Sequence, residues 1–286
     1  INIEKGRIGG DFTAEFEPSD RLPKMVSFHS GTKTNVVPGA AEALFEGLDG
    51  DETETLAKSM EEELGIQFTV SSEDGCLKIA AVGENGHAMA PWKGKNALTG
   101  LLSLIERLPL AECGQTKAVR ALNRLMPHGD WYGEALGIKM SDEESGELTL
   151  AFSMLDISEK SLEGEFDSRC PICATKENTI DVIREKMEAD GISFNTEEMK
   201  PPHHVPADSD FVKTLLSAYE KYSGRKGECI AIGGGTYVHN LKNGVAFGAA
   251  LPETENHMHG PDEFAVVDEL TMSAKIFAQV IVDLCC

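Results

Sequence analysis

The sequence predicts a mixed fold, α+β passing into α/β: an antiparallel sheet covered by helices and built in two related cycles, followed by a C-terminal α/β segment. Three observations predict it. Strand and helix patterns follow one another as strand-strand-helix-strand-strand-helix between residues 25 and 108, the order that a sheet covered on one face by helices produces. A similar layout returns without sequence identity between residues 117 and 197. Beyond Pro201-Pro202 the rhythm changes to single strands alternating with helices. The 286 residues suffice for one large domain or two ordinary ones, and 41% hydrophobic with 26% charged residues excludes disordered, collagen-like and coiled-coil classes.

Each element has its own signal. Ile1–Gly6 reads as the interior or exit of a strand, with no initiator Met, basic leader or apolar signal core, so the chain reads as starting in mid-protein. Met25-Val26-Ser27-Phe28-His29 alternates apolar and polar residues, and 41–46 follows as a second strand. Residues 52–64 set Leu56, Met60 and Leu64 four apart on one helical face, with Gly65 as the stop. Strands at 66–70 and 76–82 lead to a helix over 96–108 carrying Leu98, Leu101, Leu102 and Ile105. The second cycle has a helix at 117–125, a polar turn at 141–146, strands at 147–155 and 162–168, a helix at 177–189 and a strand at 193–197. The last part has a helix at 210–222, a strand at 228–232, a glycine turn, a strand at 245–248 and a helix at 268–284. Val266, Leu270, Ala274, Phe277 and Ile281 form the stripe expected to be buried.

Charge and cysteine content narrow the function. Forty-eight acidic against 26 basic residues give a net charge of -22, a field that repels phosphate backbones and anionic lipid, so nucleic acid and membrane are excluded as partners. No apolar run approaches the length of a membrane span. The seven cysteines are odd in number and scattered, which fits a reducing cytoplasm rather than a disulfide framework. Cys170-Pro171-Ile172-Cys173 lacks the second pair of a four-thiolate zinc site.

The candidate chemistry lies in five short motifs. His87 follows a strand and precedes a helix, a place that suits a structural histidine as well as a catalytic one; His259 lies in a Gly/Pro-bounded loop with freedom to reach a shared site. The turn Gly233-Gly234-Gly235-Thr236 lets backbone N–H groups approach a ligand but lacks the Lys-Ser/Thr ending of a phosphate loop. Arg169 can hold a carboxylate through two parallel hydrogen bonds or simply pair with Asp167, and Asn35 is either a turn residue or an amide that donates and accepts.

In order, T-N-V-V-P (34–38), G-H-A-x-x-P with G-K-N-A (86–97), D-S-R-C-P (167–171), G-G-G-T-Y (233–237) and M-H-G-P-D-E (258–263) resemble one family. It is the co-catalytic metallopeptidases that include aminoacylase, carnosinase and succinyl-diaminopimelate desuccinylase, and the likeness is nearest to bacterial dipeptidases of the peptidase V type. The resemblance implies residues 8–200 as a lid of two related ferredoxin-like α/β subdomains. It implies 1–7 and 201–286 as parts of an α/β catalytic domain. It implies His259 as a metal ligand, His87 as the lid donor to the developing oxyanion, Asn35 and Arg169 as substrate grips with Arg169 on the free carboxylate, and Gly235 and Thr236 as pocket lining. Two divalent ions are implied as cofactors, zinc first with manganese as the alternative; a dipeptide is the implied substrate, and the implied protein is a monomer or homodimer.

The sequence also departs from the family. The H-x-D pair, bridging aspartate, adjacent Glu-Glu and further carboxylate of the resemblance do not precede Thr34. His128-Gly129-Asp130 and Glu61-Glu62-Glu63 mimic two of these pieces in the wrong order and read as a loop and a solvated helix face. The expectation is that this chain alone neither hydrolyses peptides nor binds metal tightly. The alternative is a non-catalytic relative whose lid acts as a binding or dimerisation module.

Overall fold

The computed structural model describes residues 1–248, 251, 253–257 and 261–286, and the chain divides into two units, Gly6–Pro201 and Ile1–Lys5 with Pro202–Cys286. The larger unit carries one antiparallel sheet of eight strands. In chain order these are β1 (Gly6–Glu15), β2 (Lys24–Ser30), β3 (Ala40–Glu46), β4 (Gln67–Glu73), β5 (Cys76–Val82), β6 (Thr149–Ile157), β7 (Ser161–Cys170) and β8 (Ser193–Phe194). Its helices are α1 (Gly50–Leu64), α2 (Ala97–Glu106), α3 (Gly114–Leu125) and α4 (Ile180–Ala189).

Across the sheet the order is β8-β1-β7-β6-β2-β3-β5-β4. This is two copies of one arrangement. In the first, the hairpin β2-β3 is followed by α1 and then by β4 and β5, giving β2-β3-β5-β4. In the second, β6-β7 is followed by α4 and β8, and the remaining place is filled by β1 from the start of the unit, giving β6-β7-β1-β8. The two cycles read from the sequence are therefore related in layout but not separate: β2 and β6 pair through Phe28↔Ile157, His29↔Asp156 and Ser30↔Leu155. One sheet then needs only one core, which takes Phe12, Phe28, Phe45 and Phe166 from strands and Met60, Leu101, Leu122 and Ile183 from α1 to α4.

Local chemistry sets the helix ends. Asp49 accepts the Glu52 N–H at 2.9 Å to open α1, and Gly65 closes it at φ 65°, a backbone region that glycine enters without a Cβ penalty. Asn96 opens α2 by accepting the Thr99 N–H at 3.2 Å. The long strand β1 has no counterpart in the sequence reading. Gly6, Gly9 and Gly10 weaken its strand character, yet Ile8, Phe12 and Ala14 alternate inward.

The glycines in this strand pair have a packing role. Gly10 sits opposite Phe166 and Phe12 opposite Gly164, so each ring lies over the glycine of the neighbouring strand. A Cβ on Gly10 would stand 2.0 Å from the Phe166 ring, and one on Gly164 would stand 2.3 Å from Phe12. Gly10→Ala is expected to destabilise the unit by about 1–3 kcal/mol through overpacking, read as a lower urea midpoint with unchanged slope.

In the smaller unit, Ile3–Glu4 lies between His203–His204, antiparallel, and Ala231–Ile232, parallel. Helices α5 (Asp210–Ser223) and α6 (Val267–Cys285) pack through Leu215, Ala218, Ile276 and Val280. Two sequence expectations fail here. Residues 245–248 form no strand; they run past Ile1, with the Ala246 N–H donating to the Ile1 carbonyl at 3.0 Å. In α6 the expected stripe of Val266, Leu270, Ala274, Phe277 and Ile281 is exposed, and Met272, Ser273, Ile276 and Val280 face inward. The helix is apolar on two sides, so periodicity gives the angle of either stripe without saying which one α5 covers.

Candidate functional site

Three of the sequence-predicted residues come together at one end of the eight-stranded sheet. Val36–Val37 and Gly86–His87 form a two-residue antiparallel ribbon, with Val36 opposite His87, which brings Asn35 beside the histidine. The ribbon is anchored from below. The Ala88 N–H donates to the Asn35 carbonyl at 3.0 Å, the Thr149 hydroxyl donates to the Ala88 carbonyl at 3.3 Å, and Val37, Ala88 and Ala151 form a small buried cluster. Thr149 is the register partner of Arg169, which is the partner of Arg7, so the ribbon stands over a row that crosses β6, β7 and β1.

His87 is exposed, and its tautomer is set by its own loop. The Met89 N–H donates to Nδ1 at 3.1 Å, so the neutral ring carries its proton on Nε2 and presents that atom as a donor. Its pKa lies below the ordinary histidine value. Loss of hydration is the main cause; the positive charges of Arg169 and, more weakly, Arg7 act in the same direction, and Asp167 opposes them. Because the folded form prefers the neutral ring, any stability linked to this group is present above the unfolded value of about 6.5 and is lost as pH falls from there through the folded pKa. An NMR titration is expected to place His87 below that value, with the Met89 amide losing exchange protection as the ring protonates.

Arg169 is held by Asp167, which has no exposed surface. The carboxylate accepts Arg169 Nε–H, Arg169 Nη2–H at 3.0 Å and Arg7 Nε–H at 2.8 Å. The Asp–Arg pair is thus present and fixes the plane of the guanidinium, whose side chain is 10% exposed. Arg7 and the orienting role of Asp167 are what sequence reading missed. The D-S-R spacing alone signals that both residues lie on one face of a strand.

Gly235 and Thr236 belong to the other unit. Gly235 is exposed, whereas Thr236 is tied down: its N–H donates at 2.9 Å and its hydroxyl donates to Oε1 of Glu4, whose other oxygen accepts His239 Nδ1–H at 2.8 Å. Glu4 is fully buried, and although burial opposes its ionisation, these hydrogen bonds hold its carboxyl below the usual range. Glu4 stands between Ile3 and Lys5, and nothing in that local pattern singles it out. His259 lies outside the described residues.

The two imitations of metal motifs have structural occupations. His128 donates Nε2–H to the Leu64 carbonyl and faces the Thr99 hydroxyl through Nδ1, each at 2.9 Å. Asp130 accepts the N–H groups of Tyr132, Glu134 and Ala135. Among the described residues no group of three or more His, Cys, Asp or Glu side chains is placed to hold a metal ion. Among them also, no helix is long and apolar enough to cross a membrane.

Comparison with known proteins gives a consistent family. The profile of Peptidase family M20/M25/M40 matches residues 35–283. "Putative dipeptidase YtjP" of Bacillus subtilis is 36% identical over 99% of this chain and 61% of its own length. The beta-Ala-Xaa dipeptidase of Lactobacillus delbrueckii subsp. lactis is 31% identical over 99% of this chain and 60% of its own. The chain therefore spans about three fifths of the length of these relatives. The crystal structure of aminoacylhistidine dipeptidase from Vibrio alginolyticus superposes with a TM-score of 0.51 at 15% identity, covering 98% of this chain and 62% of that one, a likeness of fold.

Proposed function

Because the chain belongs to Peptidase family M20/M25/M40, we propose that it is part of a metal-dependent dipeptidase that hydrolyses short peptides with a free C-terminal carboxylate. In this reading residues 8–200 are the lid that grips the substrate, and 1–7 and 201–286 belong to the catalytic domain. The observation that carries it is the convergence of Asn35, His87 and Arg169 on one end of one sheet, with His87 held as an Nε2–H donor.

The chemistry follows from those side chains. Attack on a peptide carbonyl turns its oxygen into an oxyanion, and a fixed N–H aimed at that oxygen stabilises the transition state more than the substrate. His87 supplies this donor as a neutral ring at pH 7. Arg169, its plane set by Asp167, pairs with the terminal carboxylate, and Asn35 adds an amide beside it. A clamp at a fixed distance from the oxyanion donor measures length, so dipeptides fit and long chains do not. Gly235 and Thr236 line the pocket, with Glu4 holding Thr236. His259 is the metal ligand in this reading, with two divalent ions in the family-length enzyme, zinc or alternatively manganese. The described residues supply no complete metal site, and no step above passes through one. In this reading the enzyme works in the cytoplasm, as a monomer or homodimer.

The test is a panel of dipeptides and their C-terminal amides, assayed with zinc and with manganese on a form of the protein of the relatives' full length. Amidation removes the partner of Arg169 and is expected to lower kcat/KM about 10- to 100-fold, the worth of a hydrogen-bonded charge. Equal turnover of acid and amide would remove the clamp. No turnover of any dipeptide with either metal would favour the non-catalytic binding module.

A further inference from the structure

A second concave site lies in the Gly6–Pro201 unit, at residues that the proposed chemistry does not use. It is a cleft of about 330 Å³ bordered by Trp92 and Trp131, the only tryptophans of the chain, and by Glu62 and Glu63 at the end of α1. This volume is at the lower limit for small-molecule sites. Both tryptophans are substantially exposed, at 43% and 38%, and Trp92 is braced by Tyr132 with ring centroids 6.2 Å apart.

The charges around the cleft are unequally committed. Lys95 borders it, but its ammonium is paired with Glu84. His128 is kept neutral by burial and bonded at both nitrogens, and Asp130 is spent on backbone N–H groups. Glu62 and Glu63 are exposed and form no ion pair among the described residues. The cleft therefore offers indole faces and two uncommitted carboxylates, in a chain of net charge -22.

From this combination we infer that the cleft binds a small organic cation of the guanidinium class. A guanidinium is planar and weakly hydrated, so it stacks on indole while its N–H groups reach carboxylates. A compact ammonium gains less from the aromatic faces and loses more hydration.

The tryptophans allow a direct test, because both tryptophans of this chain border the cleft. Purified chain is titrated with butylguanidinium chloride, which carries no carboxylate and so cannot occupy the Arg169 clamp; the result is therefore independent of the peptidase reading. Sodium chloride and butanol serve as controls for ionic strength and apolar contact. The expected result is a saturable change with half-saturation on the order of millimolar, absent with both controls. Glu62→Gln/Glu63→Gln lies on an exposed helix face, and its folding is checked by circular dichroism. It is expected to raise the half-saturation concentration by about fivefold or more. A linear response, an equal response to butanol, or unchanged affinity in the double variant would each overturn the inference.

Discussion

Replacing Asp167 with alanine is expected to destabilise the Gly6–Pro201 unit by about 3–5 kcal/mol, the cost of leaving a buried charge without its partner. Asp167 has no exposed surface and serves two arginines at once. The two would not lose equally. Arg7 is 39% exposed and recovers water, whereas the Arg169 side chain is 10% exposed and is reached by little solvent. Arg169 therefore carries most of the loss, and urea unfolding of Asp167→Ala with Arg169→Met should be milder than Asp167→Ala alone. A second readout separates electrostatics from packing. Asp167 raises the His87 pKa while both arginines lower it, so Asp167→Asn, which keeps the shape and removes the charge, should move the His87 titration further down. An unchanged His87 titration would mean that the carboxylate does not act on the site.

The parts of this arrangement differ in how plainly the sequence carried them, and the difference has a physical basis. Local signals held well. Gly65 and Asn96 act as helix ends because capping depends on one residue and its near neighbours. The strands of the hairpin β6-β7 were legible for the same reason. What depends on a distant partner was not. Residues 6–15 complete the second half of the sheet by pairing with β7 and β8, some 150 to 180 positions away, and nothing within the strand announces that. The phase of α6 failed because two apolar stripes compete and only α5 chooses between them. At the site, motif order pointed to Asn35, His87 and Arg169. That the ring proton sits on Nε2 depends on the Met89 amide, and that Arg169 is oriented depends on Asp167; both are facts of geometry rather than of residue type.

That geometry also predicts how His87 fails when changed. In a form of the protein of the relatives' full length, His87→Ala is expected to lower kcat for dipeptides about 100- to 1000-fold, the usual cost of removing one donor to an oxyanion. KM should stay within a few-fold, because the ground-state carbonyl gains little from a donor placed for the charged oxygen. A structural histidine would behave otherwise. His87 is exposed, and Nδ1 is the only acceptor its side chain gives to the loop among the described residues. Truncation should therefore leave the urea midpoint nearly unchanged while activity falls. His87→Gln supplies a further discriminant, since its amide retains an N–H at a reach similar to that of Nε2. It should recover part of the lost kcat if donation is what matters. Loss of stability in step with loss of rate, or a change confined to KM, would take the oxyanion role away from this residue and leave Arg169 as the principal proposed contact with substrate.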